Sequence, residues 1–213
     1  MPTMPKPQLP QSMAPETPTM AITEDPDERD RDGAFGRLLK TRTIPLFGAV
    51  DGKLTRRVID ALTILEAEDP DAPITVLQNS PGGSVSDGFA IYDMMGFIRP
   101  PVRVVCVGLT ASIATVTLLG APKEDRVSLP HTRFLIHQPL IPGNVFGPAS
   151  DLEITAREIL KTRDRINQML ADATGQPLER VEKDTQRDYW MNAEEALEYG
   201  LISRIIRSRD ELS

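Results

Sequence analysis

One serine, two histidines and a pair of aspartates are the residues of this chain whose types and settings suit nucleophilic chemistry. Ser112 follows the apolar run Val102 to Val107 and Gly108, and falls in the small-residue stretch Ala111 to Leu119, which has helical composition. That order predicts a buried strand, a tight turn and a helix with Ser112 in its first turn. Unpaired backbone amides and the helix dipole favour developing negative charge there. A hydroxyl so placed could attack a carbonyl while neighbouring amides hold the oxyanion. An isolated serine at a helix start most often only caps it, so a catalytic reading needs a base and an acid as well. The chain has two histidines, His131 in a polar turn after Pro130 and His137 at the end of the short apolar run Phe134 to Ile136. The charged run Lys183 to Trp190 offers Asp184 and Asp188 as the orienting acid. Spacing alone does not choose between the two aspartates.

The elements that must position these groups alternate. Thr43 to Phe47 reads as a strand, and Leu54, Val58, Ile59, Leu62 and Leu65 then recur at helical spacing. Ile74 to Leu77 is the next strand, ending at Asn79-Ser80-Pro81-Gly82-Gly83 before a helical stretch from Val85 to Phe97. Pro100-Pro101 stops that helix and leads into the strand before Ser112. Strand and helix thus alternate from Thr43 to Leu119, which predicts an α/β fold with largely parallel strands. Phe134 to Ile136 is a further short strand. Leu140 to Pro148, with two prolines and two glycines, predicts an exposed arm. Ser150 with Glu153 reads as a capping box for a long helix ending at Gly175, and Asn192 with Glu195 as a second. Leu201 to Ile206 reads as a last strand.

The paired glycines allow two readings. They supply a turn that needs positive φ, or a backbone bare enough for a substrate carbonyl to reach an amide donor. They are not a nucleotide loop, because neither G-x-G-x-x-G nor G-K-[ST] is present.

Composition narrows the functional class. At 213 residues with 40% hydrophobic and 5% aromatic side chains, the chain supports one core preceded by a tail. A formal charge of −7 and a pI near 5.0 argue against nucleic acid as partner. The single cysteine, Cys106, lies inside the apolar strand and precludes an internal disulfide or a cysteine metal cluster. No apolar run approaches the roughly 20 residues of a membrane helix, and no secretory signal opens the chain, so the expectation is a soluble, cytoplasmic protein. Residues 1–33 hold seven of the 19 prolines and close with an acidic run, the composition of a flexible tail. Residues 34–213 are the expected folded domain.

The ordered motifs carry a family resemblance. Asn79-Ser80-Pro81-Gly82-Gly83, Ala111-Ser112, Ile136-His137-Gln138-Pro139, Ala156-Arg157-Glu158-Ile159-Leu160, Asp184-Thr185-Gln186-Arg187-Asp188 and Tyr199-Gly200-Leu201-Ile202 resemble the proteolytic subunit of the ATP-dependent Clp protease. The likeness extends from about Ala34 to Arg207. It implies an α/β superhelix of ββα units, of the ClpP and crotonase type, with a protruding strand-helix handle made by Leu140 to Pro148 and the helix after it. It implies a serine endopeptidase with Ser112 as nucleophile, His137 as general base and Asp188 as orienting acid, leaving Asp184 a structural role. The backbone amides of Gly83 and Ile113 match the family's oxyanion hole. The resemblance also implies two stacked seven-membered rings, possible mixed rings with a paralogue, and an unfoldase ATPase of the AAA+ class that uses ATP, with no metal or cofactor bound by the subunit. Competing readings are a catalytically silent ring member and a crotonase-type acyl-CoA enzyme. The family's usual Ser-Met-Gly reads Ser112-Ile113-Ala114, which predicts an altered floor to the site, and the acid usual before the Arg-Asp pair is Gln186.

Overall fold

Parallel pairing organises the chain, as the alternation of strands and helices predicts. The computed structural model describes residues 33–140 and 146–212. The expected tail therefore lies outside the described residues apart from Gly33, as do residues 141–145 of the expected arm. Helix α1 (Ala34–Leu39) leads into β1 (Thr43–Phe47), α2 (Gly52–Glu68), β2 (Ile74–Ser80), α3 (Val85–Phe97), β3 (Val102–Ala111) and α4 (Ile113–Leu118). β4 (Arg126–Ser128), β5 (Arg133–Ile136), α5 (Ala149–Thr174), α6 (Leu178–Thr185), β6 (Tyr189–Met191), α7 (Ala193–Tyr199) and β7 (Arg204–Ile205) follow. The result is a mixed α/β fold around one sheet in the order β1-β2-β3-β4-β7, with β5 also on β3 and β6 on β5. Every pairing is parallel except β5 with β6.

β3 is the strand that forks the sheet. Its first half pairs with β4 through Val104 to Cys106, and its second half pairs with β5 through Leu109 to Ala111. The exchange falls at Gly108, whose φ of 74° lets the strand turn without ending. The strand therefore continues past the turn expected at Gly108 and reaches Ala111, and the following helix starts only at Ile113.

The main core lies between the sheet and its helices. α2 buries Leu54, Val58, Ala61, Leu62 and Leu65 against it, and Asp51 starts the helix by accepting a hydrogen bond from the Leu54 amide at 2.9 Å. A smaller cluster of Val105, Val127 and Ile206 packs separately with Leu77, Val107, Leu129 and Leu212. Arg42 closes the C-terminal end of α2, its guanidinium donating to the carbonyls of Leu65, Asp69, Ala72 and Pro73. The buried Arg126 donates to the carbonyls of Leu119, Ala121 and Ala173, tying the ends of α4 and α5 together. Burial lowers its pKa, partly offset by Tyr92 and Glu124.

α5 has two halves. Its buried residues, Ile166, Asn167, Leu170, Ala171 and Thr174, all lie in the C-terminal half, whereas Leu152, Ile154 and Leu160 in the other half are exposed. The box expected at Ser150 and Glu153 does not form. Pro148 takes the N-cap position without a side-chain cap bond, its carbonyl accepting from the Asp151 and Leu152 amides, so the helix starts earlier and Ser150 lies inside the first turn. The box at Asn192 and Glu195 forms with both bonds, at 2.7 and 2.8 Å. The last strand is shorter than expected, since Leu201 and Ile202 pack in the core ahead of it.

Candidate active site

Sheet register brings the reactive side chains together. β3 and β5 pair with Ala111 beside Leu135, so the residues just past each strand, Ser112 and His137, emerge at the same edge. The last rung of the antiparallel pair is Ile136 with Tyr189, which sets Asp188 opposite His137. Ser112 is anchored by its amide donating to the Leu135 carbonyl at 2.9 Å.

The side chains then form a continuous relay. His137 Nε2 lies 2.8 Å from Ser112 Oγ, and His137 Nδ1 lies 3.0 Å from Asp188 Oδ1. The imidazole is largely enclosed, at 15% exposure, whereas the Asp188 side chain is 62% exposed. In the tautomer with the proton on Nδ1, the ring donates to the carboxylate and Nε2 accepts from the hydroxyl.

Of the acids left open by spacing, Asp184 goes elsewhere. It accepts from the Tyr199 hydroxyl at 3.2 Å and faces Arg180 at 3.5 Å. Burial, then the nearby Asp184 carboxylate, raises the Tyr199 pKa, so the phenol stays protonated. His131, at the opposite end of β5, lines a separate cleft with Arg133, Glu194 and Arg207. Cys106 is fully buried and its thiol is pushed up to about 12 by desolvation, which leaves it inert.

Ser112 is one of two non-glycine residues with positive φ among those described, at φ 58° and ψ −130°. It does not occupy the first turn of α4 but precedes it, and its side chain makes no capping bond. The hydroxyl is therefore left to face the imidazole. Ile113 begins the helix, so its amide is among those with no intrahelical acceptor. The 82–83 backbone passes close by: a Cβ on Gly82 would stand 2.7 Å from Ser112 Cβ and 3.2 Å from the Ile113 nitrogen. Gly82 itself has a φ of 89°. The bridge between Val50 and Gly83 is made by Val50 N donating to Gly82 O and Ser84 N donating to Val50 O, so the Gly83 amide takes no part in it.

Sequence reasoning missed Gln78. It is fully buried beneath α4, with Nε2 donating to Ala114 O at 2.9 Å and Oε1 accepting from Thr117 at 2.7 Å. The signal was available: period-two alternation along Ile74, Val76, Gln78 and Ser80 points all four inward, as their burial confirms.

Beside Ser112 lies an apolar cleft lined by Val85, Ile113, Val116, Ile136, Ile166 and Leu170. Ile113 belongs to its wall as the sequence suggests, while Ala114 is wholly buried outside the lining. Ile113 fits because α3 carries a glycine opposite it: a Cβ on Gly88 would stand 2.2 Å from Ile113 Cγ1. Gly88→Ala is expected to destabilise the fold by about 2 kcal/mol through overpacking. In an Ile113→Ala background the same change becomes neutral or stabilising by about 0.5–1 kcal/mol, the ordinary helix preference of alanine. Urea unfolding of the four chains measures both values.

The comparisons with known proteins give the family. The family profile described as Clp protease matches residues 27–209. The chain belongs to the Clp protease family. It is similar to the ATP-dependent Clp protease proteolytic subunit 1 of Gloeobacter violaceus, with 49% identity over 175 residues, 82% of this chain and 88% of that protein. Among solved structures it resembles a point mutant of ClpP1 from Listeria monocytogenes with a TM-score of 0.76 and 43% identity, covering 84% of this chain and 98% of the other. Proteins of the family form oligomeric rings. Among the described residues no helix is long and apolar enough to cross a membrane, and no three His, Cys, Asp or Glu side chains are grouped to hold a metal ion.

Proposed function

We propose that this Clp protease family member is a serine endopeptidase that hydrolyses unfolded polypeptides with Ser112, His137 and Asp188. The observation that carries the reading is the relay itself, with the hydroxyl 2.8 Å from one ring nitrogen and the carboxylate 3.0 Å from the other. His137 takes the proton of Ser112 as Oγ attacks the scissile carbonyl, and Asp188 holds the ring and stabilises the imidazolium that forms. The tetrahedral oxyanion is held by the amides of Gly83 and Ile113. Collapse breaks the C–N bond, His137 returns the proton to the leaving amine, and water then cleaves the acyl-enzyme by the same route in reverse. Each step uses side chains and amides of the chain alone, so no bound cofactor or metal enters the reading. A crotonase-type acyl-CoA chemistry would leave the serine and histidine without a purpose.

The assembly belongs to the same proposal. The unpacked half of α5, with Leu152, Ile154 and Leu160 exposed, serves as the handle through which two seven-membered rings stack around a chamber. An AAA+ unfoldase that consumes ATP feeds the chamber. The setting is cytoplasmic.

A fluorophosphonate probe tests the chemistry without knowledge of the substrate. Incubation with the full chain is expected to give a single adduct that maps to Ser112 by peptide mass spectrometry. No adduct, or one on another residue, overturns the assignment.

A further inference from the structure

We infer that Gln138 is a positioning residue that holds Asp188 against His137. The inference rests on the triad proposed above and extends it to the contact that keeps its most exposed member in place.

The need for such a contact follows from where the ladder stops. β5 and β6 end with the rung between Ile136 and Tyr189, so His137 and Asp188 both lie one residue beyond the last paired position. Antiparallel strands diverge past their final rung unless something else joins them. Asp188 cannot anchor itself by burial, because its side chain is 62% exposed and its side-chain bond is the one to His137. An exposed ion pair of this kind contributes little to holding two segments together.

Gln138 supplies the missing tie twice over. Its backbone amide donates to the carbonyl of Thr185 at 2.7 Å, and its side-chain Nε2 donates to the carbonyl of Gln186 at 2.8 Å. One residue after the base thus grips the chain two and three residues before the acid, and the two strands are closed into a loop around the His137–Asp188 pair. The far side of the grip is itself fixed. Thr185 is buried, and its hydroxyl lies 2.9 Å from Asn167 Oδ1 on the packed half of α5. A shift of the Gln186 segment would therefore carry Asp188 with it, whereas the body of the fold would stay in place. Pro139 follows directly, so the neighbouring position has no N–H to replace the lost bond.

Gln138→Met keeps the length of the side chain and removes the donor. It is expected to slow the fluorophosphonate inactivation rate and lower kcat by roughly 10- to 100-fold, the scale of a misplaced catalytic group, with KM changed less than about 2-fold. Thermal unfolding should be unchanged within about 2 °C, since the contact is at the surface. A merely structural role is separated by a double-mutant cycle: in an Asp188→Asn background the Gln138→Met change should cost less than about 2-fold, because no carboxylate remains to be placed. The low-field proton resonance of His137 Nδ1 should weaken in Gln138→Met as it does in Asp188→Asn. Unaltered rates in Gln138→Met, or losses that multiply fully with Asp188→Asn, overturn the inference. If Gln138→Met does not fold, Gln138→Glu, which also lacks the donor, is read by the same criteria. Failure of the triad reading is distinct: it appears in the unsubstituted chain as absence of the Ser112 adduct.

Discussion

Asp188→Asn is expected to lower kcat for peptide cleavage by about 10⁴-fold while leaving the fold intact, and Ser112→Ala by about 10⁶-fold. The asparagine keeps the shape of the side chain but presents an amide to His137 Nδ1, which favours the tautomer whose Nε2 carries the proton and cannot accept from Ser112. The hydroxyl then meets a donor where it needs an acceptor, and the 2.8 Å contact is retained without its function. Because the Asp188 side chain is 62% exposed, its substitution buries no unpaired group, and the unfolding midpoint should stay within about 2 °C. Steady-state cleavage of an unstructured peptide, with thermal unfolding measured on the same preparations, separates the two effects. Equal activity of the Asp188→Asn chain would show that the ring is oriented by another group.

Gly83→Ala is expected to cost about 3–5 kcal/mol of stability and, below its unfolding temperature, about 10²- to 10³-fold in kcat. The added Cβ would stand 2.2 Å from the Val50 carbonyl oxygen and 2.9 Å from the Val50 nitrogen. Both obstacles are backbone, so no side-chain rotation relieves them, and the bridge between Val50 and Gly83 must open. Its opening moves the 82–83 segment that lies against Ser112 and Ile113, which is why activity should fall further than the residual folded fraction explains. Gly48→Ala is the control. Its φ is 91° but no atom lies within 4 Å of the added carbon, so it should cost only the roughly 1–2 kcal/mol of an unfavourable backbone angle. Urea unfolding and kcat at 25 °C read both variants. A Gly83→Ala chain no less stable than Gly48→Ala would contradict the contact argument.

Much of this was readable from the sequence where one local signal decided the outcome. The β-branched runs at Thr43, Ile74 and Val102 are strands, the Leu54 stripe is a helix face, and Gly175 and Gly200 end their helices in the left-handed conformation. The two histidines and two aspartates were recognisable as candidates, but which ones meet depends on register. His137 and Asp188 are 51 residues apart in sequence and adjoin only because Ile136 pairs with Tyr189. The fork of β3 was missed because Gly108 carries a turn signal, and only pairing with β5 shows that the strand continues through it. The short elements α1, β4 and β6 have too few residues for a period to emerge and are set by tertiary contacts. At Ser150 the local pattern does not form because the helix has already begun on the Pro148 carbonyl two residues earlier.

The backbone of Ser112, at φ 58° and ψ −130°, lies outside the wells that an L-residue prefers. Such a conformation raises the energy of the native state by about 1–3 kcal/mol, and a glycine at the same position would avoid most of it. The sequence best suited to folding this turn is therefore not the one that presents a hydroxyl to His137. Substitutions that raise stability elsewhere supply the margin within which that residue can be kept.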